Sequence, residues 1–301
     1  MQTNRSSYLM RRLSCGLRCA LALANVMISA AATPAWAKFC GDDVGGVRIA
    51  CACGDVVVSD TLLQPSDPVV GERCSLDGLV VAPPVVADSI TLDLDGLTIS
   101  GAPYGVGIRV QGGGSGGAVI RGGGKQRDHA EVVGFLTGIE SRMFGSIARI
   151  ENLTVKGARR HGLSLRGRGI LLVGVTASSN GGDGVHLVGQ GGRLVGVGAF
   201  GNAGNGVVLL ADGPVVEVDV ENNGAHGVVV RGRGATLGEV RAVGNGGIGV
   251  LAPGVDEASA PRVVSERNGR EDRRLRPQVA AARDGSGGAR KPRQRAEGKA
   301  R

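Results

Sequence analysis

Three residues of this chain have the types and spacing for chemistry: His161, Asp183 and His186. An imidazole beside a carboxylate can act as a general base with its orienting partner. Ser164 follows His161 by three residues, so the members of a serine nucleophile triad are also present. A triad needs the carboxylate to orient the imidazole that faces the serine. The phrase around Asp183, NGGDGVHL at 180–187, also resembles the glycine-rich aspartate phrases of calcium-binding repeats. Which chemistry is available depends on the elements that carry these residues.

Those elements repeat. Gly162, Gly184, Gly206, Gly227 and Gly249 are spaced 22, 22, 21 and 22 residues apart. Asn180, Asn202, Asn223 and Asn245 keep the same period four residues earlier. After each glycine comes an aliphatic residue: Leu163, Val185, Val207, Val228 and Val250. Within each copy, apolar positions alternate with others, which is the period of a strand with one buried face. One such copy is too small to bury its own apolar face. Stacked copies bury it by lining up each aliphatic column at about 4.8 Å per step. The expectation is an all-β parallel solenoid with a coil period near 22 residues.

In that architecture the N-x-G-x-G phrase is a corner. Asparagine and glycine tolerate left-handed backbone angles, and stacked asparagines can hydrogen-bond from coil to coil. Asn180, Asn202, Asn223 and Asn245 are therefore expected to form a structural ladder. Calcium is set aside, because those repeats recur every nine residues or so with repeated carboxylates. Here the Asp183 position becomes His161, Asn205, His226 and Ile248 in other copies. No metal or other cofactor is expected.

The phrases NGGDGVHL, NAGNGVVL and NNGAHGVVV, with TLDLDGLTISG at 91–101, resemble the PbH1 repeats of secreted bacterial pectin-lyase-like proteins. The resemblance covers about residues 40–268. It implies a right-handed, single-stranded parallel β-helix. It implies little about activity, because that superfamily includes lyases, hydrolases, esterases and epimerases. HGLSL at 161–165 resembles the histidine phrase of polygalacturonase-like relatives, but no NTD, DD pair or RIK phrase accompanies it.

The solenoid sharpens the chemical question. His161 and Asp183 should be neighbours in adjacent coils, and they are the candidate catalytic pair. Ser164 and His186 should be neighbours in a second column. Asp183 and His186 are expected on opposite sides of their corner, which argues against the triad. One copy is irregular: Gly107 to Gly138 spans 31 residues, with the excess near GGGKQRDHAE at 122–131. Insertions in solenoids become loops on one face, often the binding face. Lys125, Arg127, Asp128 and His129 are the candidate binding residues there.

The two ends differ from the body. Residues 1–37 have a basic start, a short apolar run and an Ala35-Trp36-Ala37 site, as in a secretory signal peptide. Cys40, Cys51, Cys53 and Cys74 follow, an even set suited to two disulfides in an exported protein. Either 40–51 with 53–74, or 40–53 with 51–74, fits. Of the formal charge of +8, residues 1–37 carry +4 and 266–301 carry +7, so the body is near −3. No nucleic acid is expected for that body, and no membrane span in the mature chain. The division expected is a signal peptide at 1–37, a cysteine-containing cap at 38–89, the β-helix at 90–270 and a basic disordered tail at 271–301. The leading function is an exported scaffold or binding protein for polysaccharide. The alternative is a carbohydrate-active lyase or hydrolase.

Overall fold

The computed structural model describes residues 38–83, 89–111, 117–123, 129–141, 147–232 and 234–276. The expected leader and tail lie largely outside these residues. The described chain is a parallel β-solenoid of about nine turns, with about 22 residues per turn. It has one four-residue α-helix, Pro68–Gly71, and one 3-10 turn, Glu257–Ser259. No helix among the described residues is long and apolar enough to cross a membrane.

Two sheets carry the coils. An eleven-stranded sheet runs from Phe39–Cys40 through Leu163–Arg168, Val185–Gln190 and Val207–Leu210 to Arg273–Arg276. A thirteen-stranded sheet holds the intervening strands, among them Leu171–Ser178, Arg193–Phe200, Pro214–Glu221 and Glu239–Val243. The strands pair in parallel with like residues in register. Leu163, Val185, Val207, Val228 and Val250 form one stack. Val197, Val218, Val240 and Val263 form another. Branched aliphatic side chains of similar width pack evenly at strand spacing, and nearly all of these are fully buried.

The longer strands of the second sheet bend at a left-handed residue. Asn152, Gly174, Gly196 and Glu217 occupy this bend in successive coils, with φ of 52°, 61°, 62° and 58°. The other corner corrects the sequence reading in one respect. The left-handed residue is the one before each ladder asparagine: Ser179, Gly201, Asn222, Gly244 and Arg267. The asparagines themselves are held by hydrogen bonds.

That ladder is continuous. The side-chain amide Nδ2 of Asn180 donates to Asn202 Oδ1 at 2.8 Å, Asn202 to Asn223 at 2.9 Å, Asn223 to Asn245 at 2.9 Å, and Asn245 to Asn268 at 3.0 Å. Each receiving Oδ1 also accepts the backbone N–H of the preceding asparagine. Each Nδ2 also donates to a strand carbonyl, as Asn202 does to Ala177 at 3.0 Å. The ladder begins with the Ala158 N–H on Asn180 Oδ1. It ends where Asn268 Nδ2 meets the Asp272 carboxylate at 3.1 Å. The glycine stack beside it leaves no room for a side chain: a Cβ on Gly206 would lie 2.7 Å from the Gly227 carbonyl oxygen.

The cysteines join as Cys40–Cys51 and Cys53–Cys74, one of the two pairings left open by the sequence. They close loops of 11 and 21 residues' separation. Each bridge is expected to contribute about 3 kcal/mol, chiefly by restricting the unfolded chain. Urea unfolding of the Cys53→Ala/Cys74→Ala variant against the native protein measures this. Intact mass should also rise by about four hydrogens on reduction, two per bridge. An unchanged mass would show free thiols.

Candidate functional site

The turn before each strand of the first sheet exposes a backbone N–H that no ladder satisfies, and such groups need partners. A column of side chains supplies them. His161 Nδ1 accepts the Asp183 N–H at 3.1 Å. Asp183 Oδ1 accepts the Asn205 N–H at 2.9 Å and its side-chain amide at 2.8 Å. Asn205 Oδ1 accepts the His226 N–H at 3.0 Å, and His226 Nδ1 accepts the Ile248 N–H at 2.8 Å. The column needs an acceptor on a short side chain, which His, Asp and Asn all offer. The variation along this column is therefore one requirement met three ways.

Asp183 does more than this. Its second oxygen, Oδ2, lies 3.0 Å from His186 Nδ1 and 3.5 Å from His161 Nδ1. The expectation that Asp183 and His186 point apart is corrected: the alternation of side chains breaks at Gly184, between Asp183 and the strand that starts at Val185. The two imidazoles are tilted by 56° with centroids 5.4 Å apart. Ligand-type atoms of all three residues lie within 4.8 Å of one another, so this cluster is where the described residues could hold a metal ion.

Burial pushes the His161 imidazole down, and the attraction of Asp183 only partly offsets it. Burial pushes the Asp183 carboxyl up, but hydrogen bonds from His186 and from both amides of Asn205 outweigh it, leaving it below the usual carboxylate range. Asp183 is thus a charged, buried carboxylate beside a histidine held neutral. A cavity of about 200 Å³ opens over the cluster, lined by Thr137, Glu140, Arg160, Ser164 and Arg166 with the two histidines. Ser164 pairs in register with His186, but no hydrogen bond joins them. Further along the same outer column, Arg109 bridges Asp77 and Glu140, each at 2.9 Å.

The insertion residues Lys125, Arg127 and Asp128 lie outside the described residues. His129 is exposed and forms an isolated antiparallel bridge with Gly123.

A second hollow, of about 400 Å³, lies on the thirteen-stranded sheet and was not anticipated. The Phe200 ring lies over Gly198, where a Cβ would come within 2.5 Å of it. Thr176, Glu217, Asp219, Glu239 and Arg241 surround the ring. Arg241 is held by Asp219 at 3.1 Å and by Glu221. Glu217 is exposed and stands at the left-handed bend that glycine fills in the two preceding coils. That departure from glycine was the sequence signal for this groove. No protein family, no curated protein and no solved structure matches this chain.

Proposed function

We propose that this protein is an exported β-solenoid that binds a polysaccharide in the groove around Phe200. The observation that carries this reading is a half-exposed aromatic ring, seated on a glycine and ringed by hydrogen-bonding side chains. A sugar presents an apolar C–H face and a rim of hydroxyl groups. A ring takes the face, and carboxylates accept from the hydroxyls. Three carboxylates, Glu217, Asp219 and Glu239, line the groove with one cation, Arg241; Arg241 is paired with Asp219 and Glu221, and Glu239 with Arg262 at 4.0 Å. Such a groove repels polyuronates and favours neutral glycans. The pair of disulfides supports an oxidising, exported setting, in keeping with the leader-like residues 1–37.

The test is titration of the protein with neutral glucans, mannans and xylans, and with polygalacturonate. Neutral glycans should bind and polygalacturonate should not. Phe200→Ala should weaken binding at least about tenfold, roughly 1.4 kcal/mol. Binding that ignores Phe200→Ala, or a preference for polygalacturonate, would overturn this reading.

The contact of Asp183 with His186 favours a second reading, an enzyme in which His186 acts as base. Product formation from any glycan of the panel, lost in His186→Ala, is its signature.

A further inference from the structure

We propose that His161, Asp183 and His186 form a binding site for a zinc-class divalent cation, with a fourth position open to the cavity above them. This site is on the first sheet and does not depend on the glycan groove. The starting point is an unresolved contact. His161 Nδ1 accepts the Asp183 N–H, so that nitrogen carries a lone pair and no proton. Asp183 Oδ2 stands 3.5 Å from it. Two electron-rich atoms therefore face each other with no proton between them. The other oxygen of Asp183 is already occupied by two N–H groups of Asn205. Oδ2 also meets His186 Nδ1 at 3.0 Å, and a cation in place of the proton they share answers both contacts.

The spacing fits a particular class of ion. Tetrahedral ligands about 2.0–2.1 Å from zinc stand about 3.3 Å from one another. Here the carboxylate oxygen is 3.0 and 3.5 Å from the two imidazole nitrogens. Two nitrogens and one oxygen suit zinc, cobalt or nickel, whereas calcium requires six to eight oxygens. Asn205 fixes the carboxylate from behind, as supporting hydrogen bonds do at metal sites. On binding, His186 moves its ring proton from Nδ1 to Nε2, and the cation replaces the proton shared with Asp183. His161 Nδ1 has one lone pair, so on binding it passes from the Asp183 N–H to the cation. Three protein ligands leave the fourth position to water or a ligand in the cavity, where Arg160 and Arg166 favour an anion.

The experiment uses the full chain without a histidine tag, stripped by chelator and titrated with cobalt. Cobalt should bind at one equivalent per chain, with a visible absorption band that zinc displaces. His186 takes no part in the acceptor column, so His186→Ala should leave the fold intact while lowering cobalt affinity at least about tenfold. Melting temperature measured with each variant confirms folding, and zinc should raise it in the native protein but not in His186→Ala. His226→Ala, outside the cluster, should bind cobalt as the native chain does. No cobalt uptake, or uptake unchanged in folded His186→Ala, overturns the proposal.

Discussion

Val207→Asp is expected to abolish the folded state at ordinary temperatures. Val207 is fully buried in the stack between Val185 and Val228. A carboxylate there would have only aliphatic neighbours in its column and no cation within the core. Burying such a charge costs several kcal/mol even after relaxation. The lost valine contributes roughly 1.5–3 kcal/mol more. Typical domains have only about 5–15 kcal/mol in hand. Coil-to-coil pairing carries the damage further, because the strands on either side rest on this one. The readout is the yield of soluble, cooperatively unfolding protein. Gln190→Asp, exposed one coil earlier, should change stability by less than about 0.5 kcal/mol. Equal behaviour of the two variants would contradict the buried stack.

The second large effect lies in the asparagine ladder. Asn202→Ala removes the acceptor of the Asn180 N–H and the donor to the Ala177 carbonyl, both buried. Each orphaned group costs about 1–3 kcal/mol, so a loss of about 3 kcal/mol is expected. Asn202→Asp should be worse, although it is nearly isosteric. Its second oxygen would replace the Nδ2 that now donates to Asn223 Oδ1 at 2.9 Å and to the Ala177 carbonyl at 3.0 Å. Three acceptors would then converge with no hydrogen among them. Asn268→Ala, at the half-buried end, should cost only about 1 kcal/mol. Urea unfolding of the three variants gives the ranking. If Asn202→Asp is milder than Asn202→Ala, the ladder does not donate in the direction described.

The solenoid was legible because it is written many times over. Every coil repeats the same inward aliphatic residues, and a column such as Leu163, Val185 and Val207 has no other use for its regularity. The asparagine column could be read for the same reason. Features that occur once, or that depend on local bending, were not. The Asp183–His186 contact was missed because the two residues were placed on opposite sides of their corner, whereas the turn at Gly184 brings both side chains together. Judging metals by the calcium repeat also drew attention to missing carboxylate arrays and away from a single His–Asp–His cluster. The groove was hidden differently. Phe200, Glu217, Asp219 and Arg241 lie on three successive strands, and Glu217, at the bend that glycine fills in the two preceding coils, is the single departure among them. Only the register gathers them. The cysteine set was visible, but its pairing depends on how the cap folds.

The asparagine ladder has a direction. Every side-chain amide from Asn180 to Asn245 gives its hydrogen to the following coil and receives on its oxygen from the preceding one. Their dipoles therefore point the same way along the solenoid axis and polarise one another. Such a row has a positive end where the last hydrogens emerge, at Asn268. The Asp272 carboxylate sits there, much as an acidic residue sits at the positive end of a helix. The stack thus behaves as a side-chain counterpart of a helix macrodipole, with a charged stop at one end. Shortening the solenoid by one coil would therefore do more than remove buried area. It would leave the amide of Asn245 pointing outward without an anion to meet it.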